Sequence, residues 1–188
     1  MPSSPPLRWT DLLDAHVGVW GVGVEGQATL ARLRSLGVEP AAVVDDASSV
    51  PGVQRADEGG LAALSACEVV VKSPGISRYL DRVVELEAGG VAIVGGLGLW
   101  LEEVGPDRVI GITGTKGKST TTSVAHHLAQ GLGIRSIAGG NLGTALWSPD
   151  APTDVDVWVV EVSSYQATDL WSSPAVVAVT SLHEDHLT

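Results

Sequence analysis

Short apolar runs alternate with segments of helical periodicity along the first hundred residues. Four apolar runs predict buried strands, at residues 16–20, 41–44, 68–71 and 91–94. Two segments between them place apolar side chains three and four positions apart and predict helices, at residues 27–36 and 78–88. Because strands that alternate with helices form parallel sheets covered on both faces, the pattern predicts a Rossmann-like parallel α/β domain.

The pattern pauses at Val104-Gly105-Pro106-Asp107 and then begins again. A strand is predicted at residues 108–112 and a helix at 118–132, followed by strands at 155–160 and 176–180. We therefore predict a Rossmann-like domain over residues 1–104 and a P-loop α/β domain over residues 105–188. Since two or three strands are fewer than such a domain normally has, we expect the second domain to be truncated at Thr188.

Composition narrows the possible partners. The formal charge is −11, from 11 basic and 22 acidic residues, which argues against a nucleic acid as the main partner. Cys67 is the only cysteine, so no internal disulfide can form, and a buried inert thiol is expected. Neither a signal peptide nor an apolar run of membrane-spanning length is found, so we expect a soluble cytoplasmic protein with no membrane partner.

The strongest chemical signal is the segment TGTKGKST at residues 113–120, between a predicted strand and a predicted helix. Glycines let consecutive backbone N–H groups face a phosphate, and the helix N-terminus adds partial positive charge. Lys118 is predicted to reach the β and γ phosphates of ATP, and Ser119 to bind Mg²⁺. The strict Walker spacing is not met, because Ile112 stands five places before Gly117. A chance Gly/Lys turn is the alternative, which the strand and helix on either side disfavour.

A carboxylate at the end of an apolar strand is the second signal. Glu161 ends such a strand, and in a sheet that holds a phosphate loop this position favours a magnesium ligand over a merely solvated side chain. The segment His183-Glu184-Asp185-His186 follows the next strand and is expected to bring further ligands to the same sheet edge. A zinc site is the rival interpretation, disfavoured because the two histidines lie in a loop without cysteine.

A glycine-rich turn after the first strand is the third signal. Residues 21–26, GVGVEG, match the dinucleotide-binding pattern G-x-G-x-x-G, and Asp45-Asp46 follows at the end of the second strand. Such a turn can approach a diphosphate closely. The pattern does not tell which nucleotide is bound.

Taken in order, these segments resemble the Mur ligase family. The resemblance rests on six short motifs: GVGVEG at 21–26, SPGI at 73–76, TGTKGKST at 113–120, GGNLG at 139–143, EVSSYQ at 161–166 and EDH at 184–186. It implies a first domain that holds a UDP-sugar substrate, a central domain that holds ATP, and a third domain that closes over both.

The resemblance also implies roles for individual residues. ATP would be bound by residues of the phosphate loop: Gly114, Thr115, Lys116, Gly117, Lys118, Ser119 and Thr120. The UDP-linked substrate would be bound by Val24, Glu25, Asp45, Asp46, Ser73, Gly75, Asn141 and Ser163. Catalytic roles fall to Lys118, Glu161 and His186, and metal-binding roles to Ser119, Glu161 and His186. A carbamylated lysine that helps to hold a second metal in the family would lie beyond Thr188.

Within the family, the sequence is similar to enzymes that add glutamate to UDP-N-acetylmuramoyl-L-alanine through an acyl phosphate. It departs from their commonest pattern with Lys116 in place of Asn, Tyr165 in place of Phe, and the glycine-rich segment 95–100 in place of an acidic pair. These departures resemble a divergent branch that adds L-glutamate and whose product a partner enzyme epimerises, so we favour L-glutamate over D-glutamate.

Two alternatives remain open. One is another amide ligase on the same scaffold, of the folylpolyglutamate or cyanophycin synthetase kind. The UDP-binding first domain disfavours this alternative. The other is an NAD-dependent oxidoreductase that uses the turn at 21–26, which leaves the second phosphate loop unexplained. Under the favoured interpretation we expect these 188 residues alone to lack ligase activity. We also expect the part after Gly105 to be less stable than the first domain, or to be shielded by self-association.

Overall fold

A computed structural model describes residues 6–47, 50–140 and 145–183, and its first half forms a four-stranded parallel sheet. The strands are β1 (Val17–Trp20), β2 (Ala42–Val44), β3 (Val69–Lys72) and β4 (Ala92–Gly95). Their order in the sheet is β2-β1-β3-β4, and each neighbouring pair is parallel. All four predicted strands are present, and the predicted parallel α/β fold class is confirmed.

The helices of this half are α1 (Val24–Ser35), α2 (Gly60–Ser65), α3 (Asp81–Ala88) and α4 (Gly96–Val104). Helix α1 begins three residues before its predicted start, so Val24 and Glu25 lie in its first turn. Helix α3 begins at Asp81 instead of the predicted residue 78. Helices α2 and α4 were not predicted, because α2 is short and α4 contains glycines, which are weak helix formers.

The second half forms another four-stranded parallel sheet. Its strands are β5 (Val109–Thr113), β6 (Ser136–Gly140), β7 (Val157–Glu161) and β8 (Val176–Val179), in the order β6-β7-β5-β8. Helix α5 (Lys118–Gly131) follows β5, and the short helix α6 (Ser164–Ala167) follows β7. The expectation of two or three strands was wrong, since β6, with the sequence SIAGG, lacks the apolar run that marks the others.

The strand order of each sheet indicates where ligands bind. In the first sheet β1 lies between β2 and β3. The connection after β1 therefore runs to one side of the sheet, towards β2, and the connection after β3 runs to the other side, towards β4. In the second sheet β5 lies between β7 and β8 in the same way. Open parallel sheets bind ligands at such switch points, outside the carboxyl ends of the strands. The two expected crevices are therefore at the ends of β1 and β3, and at the ends of β5 and β7.

One hydrophobic core joins the two halves. It includes buried residues of both sheets, and its largest members are tryptophans. The rings of Trp100 and Trp158 meet edge to face with centroids 5.2 Å apart, and Trp147 donates its indole N–H to Thr29 Oγ1 at 3.2 Å. The halves therefore pack together through apolar surface. The chain passes between the sheets at Gly105, where the backbone φ of +91° is one that glycine adopts without strain.

Strand β8 differs from the other strands in its exposure. It pairs with β5 on one side, and Val176, Val177 and Val179 are 53%, 47% and 52% exposed.

Among residues 6–47, 50–140 and 145–183, no helix is long and apolar enough to cross a membrane.

Candidate functional site

The phosphate loop connects β5 to α5 and depends on two glycines. Gly114 has φ +127°, and a Cβ there would lie 2.5 Å from Thr180 Oγ1. Gly117 has φ +86° and is the N-cap of α5. Both positions therefore favour glycine. At Gly114 the reasons are the backbone conformation and the close approach of Thr180, and at Gly117 the reason is the backbone conformation. The loop adopts the strand–turn–helix geometry that the sequence predicted.

The segment after β8 fixes the first part of the loop. The backbone N–H groups of Thr115 and Lys116 donate to Ser181, to its carbonyl oxygen and to its Oγ, both at 2.9 Å. Thr180 Oγ1 donates to the carbonyl oxygen of Lys116 at 2.6 Å. These two N–H groups are thus used within the protein, and the donors that face a phosphate must come from further along the loop.

Those donors are at the start of α5. The first intrahelical bond runs from the Thr121 N–H to the Gly117 carbonyl oxygen, so the N–H groups of Lys118, Ser119 and Thr120 have no acceptor within the helix. The Lys118 Nζ folds over the loop and donates to the carbonyl oxygens of Gly114, at 2.8 Å, and Thr115, at 3.2 Å. An ammonium group above a helix N-terminus is a suitable environment for phosphate oxygens.

The predicted magnesium ligands belong to neighbouring elements. Glu161 ends β7, is buried, and pairs in register with Ile112 of β5, two residues before the phosphate loop. Ser119 is exposed in the first turn of α5. A carboxylate and a hydroxyl are ligand types that Mg²⁺ takes, so the two residues fit the ion. His186 lies outside the described residues, and within them no three His, Cys, Asp or Glu side chains form a metal-binding group.

A cleft of about 440 Å³ opens beside the phosphate loop. One wall is the loop with Lys118, and the other comes from α6 and the segment after β8; the cleft is lined by Thr113, Gly114, Thr115, Lys118, Ser163, Ser164, Tyr165, Val179, Leu182 and His183. Ser163 caps α6, because its Oγ accepts from the Gln166 N–H at 3.1 Å and its own N–H donates to Gln166 Oε1 at 2.9 Å. The structure therefore places Ser163 beside the phosphate loop.

The second crevice lies at the ends of β1 and β3. Gly21 has φ +94°, and a Cβ at Gly26 would lie 1.9 Å from the Gly21 carbonyl oxygen, so the turn requires both glycines. Ser73 donates its Oγ hydrogen to the same carbonyl oxygen at 3.1 Å, which joins the turn to the loop after β3. A Cβ at Gly23 or Gly75 would meet nothing within 4 Å, so these two glycines leave open space at the crevice.

The two aspartates after β2 hold backbone in place. Asp45 accepts from the N–H groups of Val22 and Ala47, both at 2.7 Å. Asp46 accepts from the Ala56 N–H at 2.8 Å and lies 3.8 Å from the Arg82 guanidinium. The structure brings both aspartates to the edge of the crevice and gives each a structural contact.

The remaining predicted substrate residues are placed differently from one another. Val24 is 65% exposed at the N-terminus of α1, so its side chain is open to a ligand. Glu25, one residue later, accepts from Gln166 Nε2 of α6 at 2.6 Å. Burial raises the pKa of Glu25 despite the opposing effect of this hydrogen bond. Asn141 lies outside the described residues.

Sequence reasoning missed a pair of charged residues between the crevices. Lys72, the last residue of β3, and Asp169, which follows α6, form a buried ion pair with Nζ and Oδ2 2.5 Å apart. A lysine at the end of the run VVVK carries no mark of burial, and the two residues are 97 positions apart.

Comparison with known proteins shows the family to which the chain belongs. Residues 112–188 match the family described as the Mur ligase middle domain. The chain is 39% identical over 192 residues to a UDP-N-acetylmuramoyl-L-alanine–L-glutamate ligase from Micromonospora sp., which covers 96% of this chain and 42% of that protein. The protein of the same name from Salinispora tropica is 36% identical over 194 residues, with the same coverage of both chains.

A solved structure shares the fold. The UDP-N-acetylmuramate:L-alanyl-gamma-D-glutamyl-meso-diaminopimelate ligase from Neisseria meningitides superposes with a TM-score of 0.52 at 20% identity, over 93% of this chain and 62% of that one. The chain belongs to the Mur ligase family. It spans 42% of the length of the curated relatives reported above, and these are named as L-glutamate ligases.

Proposed function

We propose that this chain is the substrate-binding and phosphate-binding part of a ligase that joins L-glutamate to UDP-N-acetylmuramoyl-L-alanine at the expense of ATP. One observation carries the proposal: a glycine crevice at the ends of β1 and β3 and a phosphate loop at the end of β5 occur in one packed unit. A ligase that activates a nucleotide-linked acid needs both sites. A single dinucleotide site would leave the loop around Lys118 without a role.

In the first half of the reaction the substrate carboxylate attacks the γ-phosphorus of ATP. A new O–P bond forms, the bond to the β-phosphate oxygen breaks, and ADP leaves. Lys118 is the group that we assign to the charge on the transferring phosphoryl, together with the N–H groups at the start of α5. Positioning and electrostatic stabilisation supply most of the catalysis in such transfers.

In the second half the glutamate amine attacks the carbonyl carbon of the acyl phosphate. The tetrahedral intermediate expels inorganic phosphate, and the nitrogen loses a proton as the amide forms. Mg²⁺, when bound, would neutralise phosphate charge, and Ser119 and Glu161 would hold it. His186 is proposed as a ligand on the resemblance alone.

The substrate contacts divide between open and engaged positions. We assign direct contact with the UDP-linked substrate to the backbone of the glycine turn, to Val24 and to the Ser73–Gly75 loop. Asp45 acts by holding the glycine turn through the Val22 N–H, and Asp46 by holding the Ala56 N–H. Asn141 is proposed for the sugar–peptide part. Because the reaction consumes ATP, we place it in the cytoplasm. A separate epimerase would act on an L-glutamate product.

The test uses the complete enzyme to which these residues belong. It is incubated with ATP, Mg²⁺, UDP-N-acetylmuramoyl-L-alanine and either L- or D-glutamate, and ADP and the mass of the product are measured. We expect ADP formation that depends on the UDP-linked acid and a product formed with L-glutamate. Turnover with a folate or a polypeptide acceptor, and none with the UDP-linked acid, would favour another ligase of this scaffold.

A further inference from the structure

The ion pair between Lys72 and Asp169 joins the two sheets at a buried position. Its side chains are 1% and 3% exposed, and Nζ and Oδ2 are 2.5 Å apart. Asp169 Oδ1 also accepts from Arg78 Nη1 at 3.2 Å, and Arg78 makes a second ion pair, with Glu87. The carboxylate therefore has a cationic partner for each oxygen, both from the first half of the chain.

Apolar contacts also hold the sheets together. The shared core already packs Trp100 against Trp158 and Trp147 against the first half. Taking two charges out of water costs free energy that their attraction often only offsets, so a buried ion pair is weak evidence for stability. The ion pair instead fixes the relative position of the two sheets, because Lys72 and Asp169 are in contact in one such position.

Glycines shape the receiving surface for Asp169. A Cβ at Gly95 would lie 2.9 Å from Asp169 Cβ, and a Cβ at Gly98 would lie 2.9 Å from the Asp169 carbonyl oxygen. The glycine-rich start of α4 thus lets the backbone around Asp169 approach closely. This contact accounts for Gly95 and Gly98 in a segment where the resemblance leads us to expect an acidic pair.

Each residue of the ion pair is close in the chain to a segment that lines one of the two crevices. Lys72 precedes Ser73, whose Oγ bonds to the glycine turn. Asp169 follows α6, whose N-cap Ser163 lines the cleft beside the phosphate loop. A second contact runs parallel to the first, from Gln166 of α6 to Glu25 of α1. Gln166 near the C-terminal end of α6 and Asp169 just after it are therefore both bonded to groups that adjoin the substrate crevice.

We propose that Lys72 and Asp169 are positioning residues, which hold the α6 side of the ATP cleft in register with the Ser73–Gly75 loop. The inference rests on the proposed function, since register matters when a carboxylate bound in one crevice must reach a phosphorus bound in the other. A misplacement of about 1 Å can lower the rate of such a step by about 100-fold. The pair touches neither reacting group, so its loss should lower kcat more than substrate affinity.

The test compares three variants in the complete enzyme: Lys72→Met, Asp169→Asn and the double variant. Asp169→Asn leaves the buried Lys72 without its carboxylate, and Lys72→Met leaves Asp169 with Arg78 as its remaining cationic partner. The double variant removes both charges of the pair. We expect both single variants to lose between about 10-fold and 100-fold in kcat, with the Kd for the UDP-linked substrate within about threefold of the wild type. The double variant should regain thermal stability and keep the low kcat. Glu103→Gln is the matched control, because Glu103 pairs with Arg32 within the first half.

The double variant separates positioning from charge balance. If it recovers both stability and kcat, the pair only balances charge and the proposal is overturned. The proposal is also overturned if the single variants keep wild-type kcat, or if substrate affinity falls as much as kcat. If a single variant does not fold, the double variant decides between these outcomes. A wild-type enzyme without activity toward the UDP-linked acid would refute the proposed function instead. The activity of the wild type is therefore measured before that of any variant.

Discussion

The Val22 backbone N–H donates to Asp45 Oδ2 at 2.7 Å, so the carboxylate at the end of β2 holds the glycine turn at the end of β1. The other oxygen of Asp45 accepts from the Ala47 N–H at the same distance. One side chain therefore holds both the glycine turn after β1 and the segment that follows β2.

Asp45→Ala should weaken this arrangement in two measurable ways. The half-buried N–H of Val22 and the exposed N–H of Ala47 lose their acceptor, and a hydrogen bond of this kind contributes about 0.5–1.5 kcal/mol. We expect the free energy of unfolding, measured by urea denaturation, to fall by that amount, and the affinity for the UDP-linked substrate to fall with it. Asp57→Ala is the control, since Asp57 is exposed and should change stability by less than about 0.5 kcal/mol. Equal effects of the two substitutions would refute the anchoring role of Asp45.

Gly75→Val should block the substrate and spare the fold. A Cβ at this position meets nothing within 4 Å, and the backbone has no positive φ, so the new side chain fits without strain and projects into open space. Calorimetric titration with UDP-N-acetylmuramoyl-L-alanine should show at least a tenfold loss of affinity, about 1.4 kcal/mol.

Gly131→Val supplies the matched control for that experiment. Gly131 is also open and ends α5, away from the crevice. It should leave substrate affinity unchanged. Unchanged affinity in the Gly75 variant would instead remove this loop from the substrate site.

The strands and the phosphate loop could be predicted because local sequence determines them. Val109–Thr113 is an apolar run, and the loop after it contains glycines at the two positions with positive φ, Gly114 and Gly117. Strand β6 could not be found in the same way, because its residues Ser136–Gly140 are held by pairing with β7 and not by their own apolar pattern.

Contacts between distant residues were beyond the sequence. No sequence pattern near Lys72 or Asp169 predicts that the two side chains are in contact. The glycines at 95, 96 and 98 are explained by their close contacts with Asp169 and Trp147, which the sequence does not show. The sequence marked Asp45 as a candidate substrate-binding residue. It did not distinguish a residue that touches the ligand from one that holds the backbone.

Glu25 should make stability depend on pH. Burial raises its pKa above the ordinary 4.5, and the nearby Asp169 adds to this, while the hydrogen bond from Gln166 and the charge of Lys72 oppose it. A raised pKa means that the folded state favours the protonated acid. The contribution of Glu25 to stability is therefore full below pH 4.5 and is lost as the pH rises through its folded-state pKa.

Glu25→Gln removes that titration and keeps an acceptor for Gln166. Urea midpoints measured from pH 4.5 upward should show the variant gaining on the wild type as the pH rises. Glu39→Gln, at an exposed position, is the control. A difference between variant and wild type that stays constant or shrinks with rising pH would show that Glu25 does not titrate in this way.

Hydrogen exchange should be faster in the second sheet than in the first. Strand β8 pairs with β5 alone among the described strands, and its valines are about half exposed, whereas β3 is buried and pairs on both sides. Edge strands with few buried contacts open at low free energy. Amides of Val176–Val179 should exchange faster than those of Val69–Lys72, at protein concentrations low enough to exclude self-association. Slower exchange in the second sheet would contradict the expected order of stability.

The separation of substrate crevice and phosphate loop is tested most directly by Lys118→Ala in the complete enzyme. The Lys118 Nζ lies on the phosphate loop, bonded to the Gly114 and Thr115 carbonyl oxygens, whereas the UDP-linked substrate is assigned to the other sheet. Acyl phosphate formation, measured as ADP released with the UDP-linked acid before glutamate is added, should be abolished. Calorimetric affinity for UDP-N-acetylmuramoyl-L-alanine should stay at the wild-type value. Loss of both together, or ADP release at the wild-type rate, would contradict the assignment of the two sites.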